Sequence, residues 1–178
     1  MQFGIGVLRC VGVASWNVGN INFQRVPELL NYLSRRLGCV PVVAFQEFRS
    51  WPTDPQLPHH FIFHPEGCKA ALALPNMLAK RRKCCLVRGN TVGVQVGRLA
   101  FLSSYLPDSS RGVGPYERAI HGADEVLAGL RRAGCWAFML GSDTNEAFVA
   151  GAEGRIGPQA RGSEGAKCNL DRLQRRGA

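Results

Sequence analysis

The chain has 178 residues, of which 46% are hydrophobic and 20% are charged. These proportions fit one globular domain and exclude disordered and collagen-like chains. Its 22 lysines and arginines outnumber 13 acidic residues, which gives a formal net charge of +9. Residues 1–89 hold 11 of the basic and only 4 of the acidic residues. This distribution favours a polyanionic partner, such as nucleic acid or a phosphorylated substrate.

The cysteines and the N-terminus bear on the cellular compartment. Seven cysteines at irregular spacings predict reduced thiols rather than a disulfide framework. The N-terminus lacks the regions of a secretory signal, and no window is apolar enough to span a membrane. We therefore expect an intracellular protein without a membrane partner. No obligate protein partner is evident, and the basic run 80–83 is a candidate nuclear signal.

The first predicted elements are a strand, a helix and a strand. Small and β-branched residues predict a buried strand over 8–16, followed by a loop at 17–20. Apolar residues at steps of three and four predict a helix over 23–37, with Gly38 as its stop. Residues 40–46 predict a second central strand, which ends at Glu47.

A proline-rich loop and a series of short strands follow. The loop covers residues 49–60. The strands are predicted over 61–63, 69–75, 84–88, 91–96 and 99–107, and the turn residues between them indicate antiparallel hairpins. A helix over 115–132 and a strand over 135–140 complete the pattern. Helices and hairpins without regular βαβ alternation favour an α/β sandwich over a doubly wound sheet.

Polar side chains follow three of the apolar strands. Asn17 follows the first, Glu47 the second, and Asp143 with Asn145 the last. Each has an ordinary explanation by itself, such as a turn, a helix cap or an ion pair. Because strand ends in one sheet can converge on a single rim, the coincidence indicates a site that binds a metal or a phosphate.

Four short motifs carry a resemblance to a known family. They are SWNV at 15–18, FQE at 45–47, SSYLP at 103–107 and GSDTN at 141–145. In order and approximate spacing they resemble the first four motifs of the endonuclease/exonuclease/phosphatase superfamily. That superfamily includes DNase I, apurinic endonucleases and the endonucleases of LINE-type retrotransposons. Residues 156–173 are also similar to the glycine-rich loop and helix start of the retroelement enzymes.

The resemblance implies a fold and a domain plan. The fold would be a DNase I-like four-layer α/β sandwich of mainly antiparallel sheets. Residues 1–178 would form a single partial domain, incomplete at the C-terminus. Its motif-bearing core would cover residues 8–147, and a glycine- and arginine-rich loop and helix start would cover 148–178.

The resemblance also implies phosphodiester hydrolysis that depends on Mg²⁺ or Mn²⁺, with DNA as the partner. Glu47 matches the metal-binding residue, and Asp143 matches the aspartate that orients or activates the attacking water. Asn145 and Asn17 match the asparagines that hold the phosphate and the carboxylates in place. Tyr105 matches the tyrosine beside the scissile phosphate. Without the other motifs, a half-buried strand tyrosine is an equally good interpretation of Tyr105.

The sequence departs from the family pattern in several places. Gly19 stands where apurinic endonucleases commonly have an acidic residue. The usual Gly-Asp-x-Asn has Ser142 before the aspartate, with the glycine shifted to 141. The fifth motif and the C-terminal Ser-Asp-His have no counterpart, and no histidine follows Asp143. We therefore expect exposed sheet edges, and whether the isolated chain is an active enzyme stays open.

Several other residues are candidates for ligand contacts. Arg49 and the basic run Lys80, Arg81, Arg82 and Lys83 are candidate phosphate- or nucleic-acid-binding residues, although such a run is also typical of a solvated turn. Three histidines and a cysteine over 59–68 have spacings too irregular to favour zinc. Trp51 either stacks on a base or, as we expect, packs under the proline-rich loop.

Two alternative functions remain open. The chain could be a nuclease-like module that has lost catalysis and binds nucleic acid through its basic half. It could also be a phosphatase of the same superfamily, acting on a phosphoinositide or another small phosphate ester.

Overall fold

A computed structural model of the protein describes residues 11–19, 21–47, 51–53, 55–107 and 113–143. In chain order, its elements are β1 (Val13–Asn17), α1 (Val26–Leu37), β2 (Val42–Gln46), β3 (His60–Phe63), β4 (Ala70–Pro75), α2 (Asn76–Ala79), β5 (Arg82–Arg88), β6 (Thr91–Val96), β7 (Leu99–Tyr105), α3 (Val113–Arg132) and β8 (Ala137–Asp143). A short 3₁₀ turn, Phe23–Arg25, leads into α1.

The strands form two sheets of four strands each. The first sheet has the order β1-β2-β4-β3, and the second has the order β5-β6-β7-β8. One edge of each sheet is a parallel pair, β1 with β2 and β7 with β8, and the other pairs are antiparallel. Both sheets are therefore mixed, and the prediction of an α/β fold is confirmed.

An apolar core lies between the two sheets. Alternate residues of a strand point to opposite faces, so one set from each central strand points into this core. The buried side chains of this cluster that come from β2, β4, β6 and β7 are Val42, Ala44, Ala70, Leu72, Leu74, Val92, Val94, Val96, Phe101 and Tyr105. The sheets therefore pack face to face.

The two long helices cover the outer faces of the sheets. Val26, Leu30 and Leu33 of α1 lie on one side of that helix and are buried against the first sheet. Val126 and Leu130 of α3 are buried against the second sheet. The described residues thus form four layers in the order helix, sheet, sheet, helix.

The predicted elements agree with the observed ones in type and approximate position. The prediction that the first strand is buried is wrong, because β1 lies at the edge of its sheet and most of its residues are exposed. The helices predicted over 23–37 and 115–132 are present, and so are the predicted hairpin strands. The last strand is longer than predicted, because it continues through Gly141 to Asp143. Helix α2 was not predicted, since a single turn of four residues has no apolar period. Residues 8–10 and 148–178 lie outside the described residues.

Strands β1 and β8 form the edges of their sheets and contact each other across the sandwich. Apolar side chains are exposed along this side, among them Val13, Trp16, Met139 and Leu140. Exposed strand edges of this kind can pair with other chains. Among the described helices, none combines the length and the apolarity that crossing a membrane requires.

Gly141 allows β8 to approach the first sheet closely. A Cβ atom built at this position would lie 2.4 Å from the Cβ of Ala44 and 2.8 Å from the Oγ of Ser15. Real side chains do not approach each other so closely, so any larger residue here would push the sheets apart. The glycine that the sequence places two residues before Asp143 therefore has a packing role.

We expect Gly141→Ala to lower the free energy of unfolding by about 1–3 kcal/mol, because it overpacks the contact between the sheets. Gly114→Ala in α3 is the matched control, since its Cβ would meet only the Arg118 guanidinium, 3.4 Å away. Gly114 is exposed in the first turn of α3, so its replacement should change the free energy of unfolding by less than about 0.5 kcal/mol. Urea unfolding measures both variants. Equal stability of Gly141→Ala and the wild type would contradict the close contact.

His60 is a buried polar residue at the start of β3. Its side chain is 3% exposed, and Nε2 lies 3.0 Å from the carbonyl oxygen of Pro41. Burial lowers the pKa of His60, the hydrogen bond to Pro41 opposes this effect, and the nearby His59 adds to it. The folded state therefore favours the neutral ring, which donates from Nε2 to Pro41.

The lowered pKa of His60 predicts an acid-sensitive fold. Below about pH 6.5 the unfolded state binds the proton more readily than the folded state, so stability falls until the folded pKa is passed. We expect His60→Gln, whose amide can still donate to Pro41, to make the decline between pH 7 and 5 shallower. His121→Gln on the exposed face of α3 is the control. Identical pH profiles of the free energy of unfolding for both variants would contradict the assignment.

Candidate functional site

Four of the predicted site residues, Asn17, Glu47, Tyr105 and Asp143, lie at the carboxyl ends of the two parallel strand pairs. Strands β1 and β2 end side by side at Asn17 and Gln46, and strands β7 and β8 end side by side at Tyr105 and Asp143. Strand β8 contacts both β1 and β2. Four strand ends from two different sheets therefore meet at one end of the sandwich.

The side-chain amide of Asn17 joins the two predicted carboxylates. Its Nδ2 donates to Oε2 of Glu47 at 2.8 Å and to Oδ2 of Asp143 at 2.5 Å. Its Oδ1 accepts a hydrogen bond from the backbone N–H of Gly19 at 2.9 Å, which orients the amide. Gly19 has a φ of 49°, a left-handed conformation that suits glycine better than the acidic residue of the family pattern. Three residues from distant parts of the sequence thus share one contact.

The backbone at Glu47 turns sharply where β2 ends. Glu47 has a φ of 59° and is the non-glycine residue with a positive φ within the described ranges. This conformation costs a non-glycine residue about 1–2 kcal/mol. It is held by a hydrogen bond from the N–H of Glu47 to the carbonyl of Lys69 at 2.9 Å. Such conformations are concentrated at functional sites, where they direct a side chain.

A polar network lies beneath the carboxylates, in which Gln46 and Ser103 are buried and Ser15 is exposed. Gln46 is 1% exposed, and its Nε2 donates to the hydroxyls of Ser103 at 3.1 Å and Ser15 at 3.2 Å. The hydroxyl of Ser103 donates to the carbonyl of Phe45 at 2.9 Å. These bonds join β1, β2 and β7. Because breaking one would leave a buried polar group unpaired, the network fixes the relative position of the two sheets.

Tyr105 is buried at the end of β7, and a lysine packs on its ring. The side chain is 8% exposed, and the ammonium of Lys69 lies 5.1 Å from the ring centroid. Asn90 connects both residues, since its carbonyl accepts from the N–H of Tyr105 and its Oδ1 accepts from the N–H of Lys69. The sequence motifs do not include Lys69. A lone lysine before a strand belongs to no motif.

The basic run 80–83 lies at the opposite end of the sandwich. The run follows α2 and includes the first two residues of β5. Arg82 pairs with Val96 of β6, which pairs with Leu99 at the end of β7 remote from Tyr105. The seven residues of β7 put about 20 Å between the two ends. Arg82 is held by the carbonyl of Ala79 and by the ring of Phe61. The run cannot contact a phosphate held at Glu47, and contact with a distant part of a polynucleotide stays a prediction.

Two predicted site residues, Arg49 and Asn145, lie outside the described residues. Trp51 is 6% exposed, donates from Nε1 to the carbonyl of Ile21 and packs between Phe23 and Phe45. The prediction that Trp51 packs inside the protein, rather than stacking on a base, is therefore confirmed.

The cysteines and histidines do not form a metal cluster in the described part of the chain. No three His, Cys, Asp or Glu side chains there are grouped so that they could hold a metal ion. The described cysteines are free thiols, namely Cys39, Cys68, Cys84, Cys85 and Cys135. Burial raises the pKa of the Cys68 thiol to about 11, so it stays protonated at neutral pH.

The carboxylates fit a hard divalent cation better than zinc. Mg²⁺ prefers oxygen ligands, keeps several waters and needs only one or two protein carboxylates. Glu47 and Asp143 supply carboxylate oxygens within hydrogen-bond distance of one amide nitrogen, and both side chains are only half-buried. Glu47 can therefore serve as the anchor for Mg²⁺ or Mn²⁺, with solvent supplying the remaining ligands.

We expect a third carboxylate at this point to destabilise the fold. Asn17→Asp removes the shared donor and adds a charge that repels Glu47 and Asp143, which costs about 1 kcal/mol at low salt. The control is Asn31→Asp on the exposed face of α1, where surface changes stay within about 0.5 kcal/mol. Urea unfolding in EDTA, at low and at high salt, compares the two. Equal losses would contradict the shared contact.

Comparison with models of known protein families and with curated proteins found no match. The features that bear on function are therefore those of the chain itself. They are the two carboxylates on the amide of Asn17, the left-handed turn that directs Glu47, and the buried Tyr105 with its lysine at the same end of the sandwich.

Proposed function

We propose that the chain is a divalent-metal-dependent phosphodiesterase of the endonuclease/exonuclease/phosphatase type, acting on DNA as a retroelement-like endonuclease. The observation that carries this proposal is the convergence of Asn17, Glu47 and Asp143 at the ends of two parallel strand pairs from different sheets. These residues are far apart in sequence, and the motif resemblance named all three.

The architecture is consistent with this proposal. Two mixed sheets packed face to face, each covered by one long helix, agree with the DNase I-like sandwich that the resemblance implies. Ligand sites in sheet proteins commonly lie at the carboxyl ends of parallel strands, where loops and side chains meet. The assignment of the superfamily therefore has support from topology as well as from motifs.

In the proposed reaction, Glu47 holds the cation, whose chemistry is to polarise a phosphoryl oxygen and to offset charge on the leaving oxygen. Asp143 accepts a proton from the attacking water. At the same time the water oxygen bonds to phosphorus, and the bond between phosphorus and the leaving oxygen breaks. Asn17 orients both carboxylates through its side-chain amide. Tyr105 bounds the site beside Asp143.

If the substrate contacts both the basic run and the carboxylates, it is a polynucleotide rather than a small phosphate ester. About 20 Å separates this run from the carboxylates, so only an extended polyanion can contact both. Double-stranded DNA spans that distance in about six base pairs. The excess of basic over acidic residues in the first half of the chain also favours this partner, through counterion release on binding.

We expect the 178-residue chain to nick supercoiled plasmid DNA in the presence of Mg²⁺. Glu47→Gln and Asp143→Asn should each lower the rate at least about 100-fold, because one removes the metal anchor and the other the proton acceptor. Glu28→Gln on α1 is the matched control, since its carboxylate makes only an exposed contact with Arg25. Gel electrophoresis of the relaxed product, with EDTA as a blank, gives the rates.

Two results would contradict the proposed function. Unchanged nicking in Glu47→Gln or Asp143→Asn would overturn the assignment of the site. Salt-sensitive DNA binding by the wild type, with no nicking in Mg²⁺ or Mn²⁺, would favour the alternative of a non-catalytic module that binds nucleic acid. The excess of basic residues in the first half of the chain supports this alternative.

A further inference from the structure

Lys69 is a cationic residue at the site for which the proposed reaction has no role. Its backbone carbonyl accepts from the N–H of Glu47 at 2.9 Å, and its own N–H donates to Oδ1 of Asn90 at 3.1 Å. The carbonyl of Asn90 accepts from the N–H of Tyr105. The position of Lys69 is therefore fixed relative to two of the predicted site residues.

The ammonium of Lys69 is placed on Tyr105 without being neutralised by an acid. It lies 5.1 Å from the ring centroid, within the range of about 6 Å for a cation–π contact. Within the described ranges, Lys69 forms no ion pair with a carboxylate. A lysine ammonium held by a ring keeps its hydrogen-bond donors for an anion, and phosphate is the anion that lysine commonly binds.

Lys69 also lines a depression of about 250 Å³, together with Trp51, Thr53, His64 and Glu66. Trp51 donates from Nε1 to the carbonyl of Ile21, and both ring nitrogens of His64 lie within hydrogen-bond distance of backbone carbonyls, so these two rings serve as walls. Among the described residues of this lining, Thr53, Glu66 and Lys69 have side chains with polar or charged ends. Pockets that enclose a whole drug-sized ligand usually have a volume of about 300–1,000 Å³. The smaller volume of this depression suits only part of a longer ligand, such as one nucleotide unit of a polynucleotide.

We propose that Lys69 binds the phosphate next to the scissile one and that the depression holds the nucleotide attached to it. The opposite charges of Lys69 and Glu66 orient the bound nucleotide. Lys69 attracts the phosphate, and Glu66 accepts hydrogen bonds from the amino or imino groups of the base. This inference rests on the proposed function, since it assumes that the substrate is a polynucleotide. It adds a substrate subsite to that function.

The test measures binding of a single-stranded oligonucleotide to the full chain in EDTA, as a function of salt, by fluorescence anisotropy. Lys69→Gln should weaken binding about threefold to tenfold and reduce the salt slope by about 0.7, because one phosphate contact is lost. Lys69→Arg should retain most of the affinity. Arg36→Gln is the matched control, since α1 ends before β2 begins, at the end of the sandwich remote from Glu47. It should change affinity less than about twofold.

Thr53→Trp tests the depression separately from the charge. The indole should fill the space and weaken binding, whereas the salt slope should stay that of the wild type because no charge is lost. The proposal is overturned if Lys69→Gln and Arg36→Gln give the same affinity and slope, if Thr53→Trp binds like the wild type, or if the wild type does not bind the oligonucleotide.

The same variants separate this inference from the proposed function. If the wild type does not nick DNA, but Lys69→Gln weakens oligonucleotide binding more than Arg36→Gln does, the result supports the subsite and overturns the hydrolase. Nicking that depends on Glu47, combined with no specific effect of Lys69→Gln on binding, supports the hydrolase and overturns the subsite.

Discussion

The contact that the candidate site depends on is the amide of Asn17, which holds two carboxylates from different sheets. Glu47 follows a strand of the first sheet, and Asp143 ends a strand of the second. Two carboxylates that both lie within hydrogen-bond distance of one nitrogen repel each other, and a shared donor or a cation between them offsets this repulsion. The hydrolysis that we propose needs a metal anchor beside a proton acceptor, and the fold brings Glu47 and Asp143 together at one end of the sandwich.

Several features of the interior make this contact possible. Gly141 lets β8 come close to the first sheet, and the bonds of Gln46 to Ser15 and Ser103 set the level at which the strands end. The left-handed backbone at Glu47 then turns its side chain away from the strand direction. Gln46 and Ser103 are buried, whereas Asn17 is exposed and Glu47 and Asp143 are half-buried, so the three side chains of the shared contact stay open to solvent.

Much of this arrangement could be predicted from the sequence. The apolar periods located the long helices and the strands, and polar residues after strands pointed to Asn17, Glu47 and Asp143. What could not be predicted depends on contacts across the fold. Nothing local marks Lys69 as a neighbour of Tyr105, since Asn90 and the pairing of β4 with β2 bring them together. The basic run 80–83 has the composition of a phosphate-binding segment, yet the strand directions put it at the far end of the sandwich.

The most direct test of the central claim is paramagnetic broadening of amide NMR signals of the ¹⁵N-labelled chain by substoichiometric Mn²⁺. If Glu47 anchors the metal, the signals of Asn17, Glu47, Tyr105 and Asp143 should broaden first, and a tenfold excess of Mg²⁺ should restore them. Signals at the far end of the sandwich should be unaffected, because the broadening declines steeply with distance. Broadening that spreads evenly over acidic surface residues, or that leaves these four signals sharp, would contradict a metal site at the joined ends of the two sheets.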